Sequence, residues 1–386
     1  MARVYSSIAC NLDTNSLQAS LPLFESEKVQ AIEWSFDTLF ALGEMPEWFA
    51  ELLRAYSQEG RLIGHGVFFS LFSGKWTPDQ QQWLNQLKAI SADFTFDHLT
   101  EHFGFMTGED FHKGAPVSIP FTASTLAIGR DRLLRLQDAG NCPVGLENLA
   151  VAYSLDDVKR QGNFLDQLLE PINGFIILDL HNLYCQSQNF AIDITDLQTL
   201  YPLDRVREIH ISGGSWVPSV VNPTKQIRRD THDDSVPAAV FHALEQVIGQ
   251  CPNLKYVVLE QLGTGLTTDA SRHLFQEDFY TMDHIVEGAN RVDSLLATNA
   301  FLPLSPVSIP KTPTENSVLY QQQNELSTIL ETATDCAQAQ LFLSASSLAN
   351  SDWEIENWKP EMLETAIAIA QKWKDGFVQR PVIKDR

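Results

Sequence analysis

Short apolar runs recur along the first 260 residues of the chain, and segments of helical length separate them. Several of these segments, MPEWFAELLRAYSQEG among them, place apolar residues at the 3.6-residue spacing of a helix packed on a sheet. Eight strands alternating with helices predict an α/β fold, a (β/α)8 TIM barrel, rather than an open doubly wound sheet. The predicted strands are VYSSIAC (4–10), QAIEWSF (30–36), LIGHGVFF (62–69), DFTFDHL (93–99), PVGLENL (143–149), GFIILDL (174–180), REIHIS (207–212) and YVVLEQL (256–262).

The pattern changes after residue 300, where the barrel is predicted to end. Residues 301–316 are rich in proline, serine and threonine, a composition typical of a linker. Residues 317–386 return to helical periodicity and predict a small C-terminal helical extension. The sequence therefore predicts a barrel domain over 1–300, a linker, and an extension that carries no recognisable chemical motif.

The charge balance narrows the classes of partner. The chain has 386 residues and a formal net charge of −22, and it has no basic patch that would offset this charge on a nucleic-acid backbone. It has no apolar run of membrane-spanning length, no basic-then-apolar signal segment, and five scattered cysteines with no CxxC pair. We therefore expect a soluble cytoplasmic protein with free thiols that binds neither nucleic acid nor membrane.

Metal-ligating residue types stand near the ends of most predicted strands. Barrel enzymes carry their chemistry at the carboxyl ends of the strands, so these side chains are expected to converge. Burying so many carboxylates and imidazoles together without cations would leave uncompensated charge, which predicts a metal centre. The residues are Glu33, His65, His98, Glu147, Asp179, His210 and Glu260, with Asp230 and His232 in the charged stretch RRDTHDDSVP (228–237).

The donor types limit the metal. Several histidines together with carboxylates suit zinc, iron or manganese, and residue composition does not choose between zinc and iron. Glu33 is predicted to orient a ligand rather than to bind the metal. Five other histidines are expected at the surface, namely His102, His112, His242, His273 and His284.

Six motifs in this order resemble the multinuclear non-heme iron-dependent oxidases, the family of the methanobactin-biosynthesis oxidase. They are GHGVFFSL, FDHLTEHFGF, GLENLA, ILDLHNLYCQS, EIHISGG with RRDTHDDSVP, and VLEQ. The resemblance covers roughly residues 1–290 and leaves the C-terminal extension unmatched. It implies a barrel related to the xylose isomerase and endonuclease IV folds.

The resemblance also implies ligand sets for two or three irons. His65, His98 and a bridging Glu147 would bind one iron. The second would take Glu147, Asp179, His210 and Glu260, and the third Asp230 and His232 with Asn182 or His181. Arg228 and Arg229 are expected either to balance the carboxylates or to bind a substrate carboxylate.

The activity implied by the resemblance is oxidation of a ribosomally made precursor peptide by O2 at a mixed Fe(II)/Fe(III) cluster. Cysteine is the first expectation for the modified residue, and aspartate or asparagine the second. A small partner protein often presents the leader in this family, and the C-terminal extension is predicted to replace or recruit it. Two alternatives stay open: a zinc- or divalent-metal-dependent hydrolase or isomerase acting on a phosphodiester or a sugar, and a non-catalytic peptide-binding protein.

Overall fold

The computed structural model describes residues 3–41, 45–108, 113–291, 298–303 and 308–376. Eight parallel strands close into a barrel in the spatial order β1-β12-β9-β8-β7-β4-β3-β2. The prediction of a (β/α)8 barrel is therefore confirmed. The barrel strands are β1 (Tyr5–Ala9), β2 (Ala31–Trp34), β3 (Leu62–His65), β4 (His98–His102), β7 (Val144–Glu147), β8 (Phe175–Asp179), β9 (Val206–Ser212) and β12 (Tyr256–Glu260).

Two short antiparallel pairs lie outside the barrel. The first joins β5 (Phe105–Met106) and β6 (Pro116–Val117) after β4. The second is a hairpin of β10 (Trp216–Pro218) and β11 (Gln226–Arg228) after β9. Both pairs follow the carboxyl ends of barrel strands, so they rise on the side of the barrel where chemistry is expected.

Helices surround the barrel and continue beyond it. Those within the barrel domain are α1 (Thr14–Glu25), α2 (Glu47–Gln58), α3 (Pro78–Asp93), α4 (Ala123–Gly140), α5 (Leu155–Leu169), α6 (Leu180–Phe190), α7 (Ile194–Gln198), α8 (Ala238–Val247) and α9 (Asp269–Asn290). The extension forms α10 (Ser317–Thr332), α11 (Cys336–Ser344) and α12 (Pro360–Trp373). None of the described helices is long and apolar enough to cross a membrane.

The main apolar core lies between the strands and the helices, and a second, small cluster fills the barrel interior. Ala31, Ile63, Tyr256 and Val258 form this inner cluster. Because strand side chains alternate, the next inward positions along the same strands are free to carry polar groups. All five cysteines are buried and free, as expected.

The extension packs against loops at the carboxyl ends of the barrel strands. Trp358 stacks on Tyr153, which follows β7, with ring centroids 3.7 Å apart. Backbone contacts support this packing, since the amide of Lys359 donates to the carbonyl of Tyr153 over 2.8 Å. Gln323 of α10 exchanges hydrogen bonds with the backbone of Gly74 and Phe72 after β3. The placement of the linker and the domain boundary at residue 300 stay predictions.

We predict that Trp358→Ala lowers the free energy of unfolding by about 3 kcal/mol, because it removes a buried indole and its stacking contact with Tyr153. Chemical denaturation followed by circular dichroism measures the loss. Trp48→Ala is the matched control, since Trp48 is largely exposed, and it should cost less than about 0.5 kcal/mol. Equal losses in the two variants would show that the extension is not docked in solution.

Candidate metal centre

The first group of potential ligands spans three neighbouring strands. His65, His102 and Glu147 end β3, β4 and β7, and one donor atom of each lies within 4.8 Å of the others. The Nε2 atoms of His65 and His102 are 3.4 and 3.6 Å from Oε2 of Glu147. Thr100 Oγ1 lies 2.8 Å from Nδ1 of His65, which fixes that ring and leaves Nε2 toward the site.

Two further groups share residues with the first. Glu147, Asp179 and His210 form one of them, and Glu33, His210 and Glu260 form the other. His210 contacts Glu33 through Nε2 over 3.0 Å and Glu260 through Nδ1 over 3.2 Å. Glu147 and His210 thus link all three groups into one continuous cluster. Shared ligands of this kind are what a centre of two or more metals requires.

Asp230 and His232 join this cluster from the loop after β11. His232 Nδ1 is 3.6 Å from Oε2 of Glu260, and its Nε2 is 2.9 Å from Oδ2 of Asp230. His232 has a positive φ of 49°, a conformation that a non-glycine residue adopts rarely and often at a functional site. Glycine at position 214 lets this loop pass close to the backbone of residue 214, because a Cβ there would lie only 2.3 Å from the carbonyl oxygen of Arg229.

The structure separates the roles of His181 and Asn182 at the start of α6. Both ring nitrogens of His181 are engaged, Nδ1 with Asp230 Oδ1 at 2.8 Å and Nε2 with Arg228 Nη2 at 3.0 Å. Asn182 donates its amide to Oε1 of Glu147 over 3.0 Å, and its buried Oδ1 has no hydrogen-bond partner among the described residues. The geometry therefore favours Asn182 as the residue that completes a third site and His181 as the residue that orients Asp230.

His98 does not join the cluster, so this geometry does not support its predicted role as a ligand. It begins β4, whereas His102 ends it, so the two lie at opposite ends of the strand. His98 Nε2 lies 2.7 Å from Glu208 Oε2, and its Nδ1 lies 2.9 Å from Asp97 Oδ2. The predicted strand at 93–99 placed β4 too early, because the apolar side chains of Phe94 and Phe96 are buried outside any strand.

Two residues that the sequence analysis set aside belong to the cluster. His102 was expected at the surface, and Glu33 was expected only to orient a ligand, yet both lie in groups able to bind a metal. The spacing His98-Thr100-His102 puts all three on the inner face of one strand, a signal that was present in the sequence. Of the other histidines set aside, His242, His273 and His284 are exposed, as expected, and His112 lies outside the described residues.

The two arginines pack beside the cluster. Arg228 is buried, with its guanidinium against His181 and over the rings of Tyr184 and Trp216. Burial lowers the pKa of Arg229, with the charges of Cys185 and Asp230 opposing the shift. Arg229 thus lies close enough to Asp230 for their charges to interact, and Arg228 reaches Asp230 through His181.

Several buried polar atoms of the cluster have no hydrogen-bond partner within the described ranges. These include both carboxylate oxygens of Glu33, Oδ2 of Asp179, Nδ1 of His102 and both nitrogens of His210, whose close contacts with Glu33 and Glu260 lack hydrogen-bond geometry. Buried polar groups are nearly always paired, so a concentration of unpaired nitrogen and oxygen donors indicates a missing partner. Nitrogen and oxygen donors in this mixture fit iron, zinc or manganese, and the cluster therefore passes the test for a metal site.

The shifted pKa values of the cluster carboxylates reflect the same shortage of positive charge around them. Burial raises the pKa of Glu33 to about 8 against the opposing effect of His210. Burial and the charge of Asp230 raise the pKa of Asp179 to about 7. Burial opposes the ionisation of Asp230 and Glu260 too, but the neighbouring histidines outweigh it and hold each pKa well below its ordinary value. Without cations, part of the cluster must bind protons instead.

These properties define a (β/α)8 barrel protein with a candidate multinuclear metal centre at the carboxyl ends of its strands. The chain belongs to the family of RiPP precursor modification enzymes MbnB/TglH/ChrH, whose family model matches residues 23–262. RiPPs are ribosomally synthesised, post-translationally modified peptides, so the family implies an enzyme that acts on a precursor peptide.

Individual relatives share a moderate part of the sequence. A UPF0276 protein of Acaryochloris marina is 29% identical over 218 residues, which are 55% of this chain and 74% of that protein. A UPF0276 protein of Caulobacter vibrioides is 25% identical over 187 residues, 48% of this chain and 64% of that protein. A solved xylose isomerase domain protein from Planctomyces limnophilus is 13% identical, with a TM-score of 0.46 over 75% of this chain and 98% of that chain.

We predict that His102→Ala removes at least one metal ion per chain, whereas His98→Gln leaves the metal content unchanged. His102 lies in the cluster, and His98 pairs with Glu208 away from it. Elemental analysis of the purified variants measures the difference. His98→Gln should instead lower stability, because it removes a buried imidazole whose two nitrogens contact Glu208 and Asp97. Metal loss in the His98 variant with full metal content in the His102 variant would contradict this assignment.

We predict that the metal-free protein loses stability as pH rises from 6.5 to 8. The raised pKa values of Glu33 and of His210 mean that the folded state binds more protons than the unfolded state in this window. Stability then falls by about 1.4 kcal/mol per pH unit for each such proton. His65 and His102 oppose this slope near pH 6.5, because burial lowers the pKa of each in the folded state while the unfolded imidazoles still bind protons there.

Thermal unfolding across this pH range, with and without metal, measures the effect. Metal-loaded protein should lose the slope, because a bound cation replaces the protons. The same slope in both forms would contradict the assignment of these groups to a metal centre.

Proposed function

We propose that this chain is a multinuclear non-heme iron-dependent oxidase that uses O2 to modify a residue of a ribosomally made precursor peptide. The observation that carries the proposal is the linkage of three metal-capable groups through Glu147 and His210. A mononuclear zinc site needs only one such group, so the linkage favours a centre of two or more metals. Family membership supports the peptide substrate.

Each residue has a role in this proposal. Glu147 would hold one iron together with His65 and His102, and another together with Asp179 and His210. Glu33 and Glu260 would contribute to the site around His210. A third iron would be held by Asp230, His232 and the side-chain oxygen of Asn182. When bound, the irons would supply the redox chemistry by passing electrons from the peptide to O2.

The cluster is open on one side only. The side chains of Glu33, His65, Glu147 and His210 are at most 5% exposed, whereas those of His102, Asp230 and His232 are 20–24% exposed. The peptide therefore approaches from the side of His102 and the Asp230 loop. The inner residues exclude water from the part of the site that Glu33 and His210 line, which limits side reactions of an activated oxidant.

The substrate residue is proposed to be cysteine, with aspartate or asparagine as the second choice. Cysteine suits the site because a thiolate is a strong ligand for iron and readily gives up electrons. Arg228 and Arg229 are then proposed to offset the carboxylates, because Arg228 is already engaged with His181. A small partner protein that presents the leader belongs to this proposal, with the C-terminal extension as its replacement or its docking site.

The metal is tested on protein purified without oxygen from iron-supplemented cells. We predict two to three irons per chain and Mössbauer signals of both Fe(II) and Fe(III). Glu147→Gln should lose at least one iron per chain, because it removes the bridging carboxylate. Asp278→Asn is the matched control on α9, outside the cluster, and should keep full iron content. Stoichiometric zinc that iron cannot replace would instead support a hydrolase or isomerase on the same barrel.

A further inference from the structure

The hairpin beside the metal centre has one strand edge that faces outward. Arg229 donates its amide to the carbonyl of Ser215, and Ser219 donates to that of Lys225. In the antiparallel register, these bonds mean that the backbone amides and carbonyls of residues 215, 217 and 219 point toward β11. The amide and carbonyl of Trp216 and the carbonyl of Pro218 must therefore point away from β11, and β10 pairs with no other described strand.

This edge is apolar as well as unpaired. All three residues of β10 are exposed, and Trp216 keeps 45% of its surface. Val220 and Val221 at the turn continue the exposed apolar surface, with Val220 82% exposed. An exposed edge with apolar side chains is a template for adding another strand, and proteins normally protect such edges.

The edge leads directly into the metal centre. Trp216 lies opposite Arg228 in the hairpin register, and its ring contacts the Arg228 guanidinium at 5.5 Å. The same guanidinium reaches His181, which orients Asp230. Asp230 follows Arg228 by two residues, which is about 7 Å of extended chain. A strand added along β10 would therefore carry its next residues to the open side of the cluster.

The described part of the C-terminal extension, up to residue 376, fixes the hairpin and leaves this edge exposed. Glu364 of α12 accepts hydrogen bonds from the Ser219 hydroxyl at 2.8 Å and the Val220 amide at 2.7 Å. Glu361 contacts the Lys225 amine at 3.0 Å. Both contacts hold the turn end, and Asn189 of α6 holds Arg228 at the other end through two backbone hydrogen bonds. The edge is preorganised, which lowers the cost of binding an extended chain.

We propose that the β10 edge is the docking strand for an extended segment of the precursor peptide, which adds to the hairpin and delivers the adjacent residue to the metal centre. This inference rests on the proposed function for the identity of the peptide. An extended peptide fits because the edge offers the backbone amide of Trp216 and the carbonyls of Trp216 and Pro218 for strand addition. Antiparallel addition would use two hydrogen bonds at Trp216 and one at the carbonyl of Pro218.

Trp216→Pro tests the edge, because it removes the outward amide and leaves the ladder bonds of residues 215, 217 and 219 in place. Trp216→Ala is the matched control, since both variants lose the indole and only the proline variant loses the amide. The probe is a displayed pool of random 12-residue peptides, each with one central cysteine, selected on the metal-loaded full-length protein. Metal content and thermal midpoint of both variants confirm that they are folded and loaded.

We expect peptides selected on wild-type protein to bind Trp216→Pro about tenfold more weakly than Trp216→Ala, from the loss of one edge hydrogen bond and the clash of the added ring. Equal binding to the two variants, or no enrichment on wild-type protein, would overturn the proposal. Dimerisation of wild-type protein that Trp216→Pro abolishes would overturn it too, by assigning the edge to a second copy of the chain.

The outcome is separable from that of the proposed function. Binding needs no turnover, so peptides that bind through the edge to a protein without iron or without O2 consumption would retain the docking strand and reject the oxidase. Full iron content, together with peptide binding that does not depend on the Trp216 amide, would retain the oxidase and reject the docking strand.

Discussion

The central constraint on this molecule is the concentration of charge at one end of its barrel. Five carboxylates and four imidazoles meet in a space where most of them are buried. Ordinary hydrogen bonding does not satisfy them, since Glu33, Asp179 and His210 keep unpaired buried atoms. Such a cluster would be strongly destabilising unless protons or cations neutralise it. Metal binding and folding stability are therefore coupled in this protein.

The barrel makes that concentration of charge possible. Parallel strands end at one rim, and alternation along each strand sends every second side chain inward. Tyr256 and Val258 fill the interior below, while Glu260 on the same strand reaches the cluster. Deeper in the barrel, His98 is held between Glu208 and Asp97, and Arg207 donates to Asp97. Glu208 also lies 3.5 Å from His210, so this buried network adjoins the cluster.

Much of this arrangement could be predicted from the sequence. Eight apolar runs marked the barrel strands, and reading the residue at each strand end found Glu147, Asp179, His210 and Glu260. At β4 the pattern misleads, because buried Phe94 and Phe96 imitate a strand and shift the predicted strand end from His102 to His98. It also undervalued Glu33, because a single carboxylate on an early strand carries no local sign of whether it binds a metal or orients a ligand.

The contacts made by the hairpin and by the extension could not be predicted from the sequence. The pairing of Trp216 with Arg228 depends on register, and the contact of Glu364 with Ser219 joins residues 145 positions apart. No local pattern reports either contact. They nevertheless decide what surrounds the open side of the cluster, where His102 and His232 are partly exposed.

The most direct test of this account is anomalous diffraction at the iron absorption edge from crystals grown without oxygen. The account predicts two or three iron peaks, one between His65, His102 and Glu147 and another beside His210. A third peak would lie between Asp230 and His232. Absence of iron peaks from this rim, or a peak at His98 with none at His102, would contradict it.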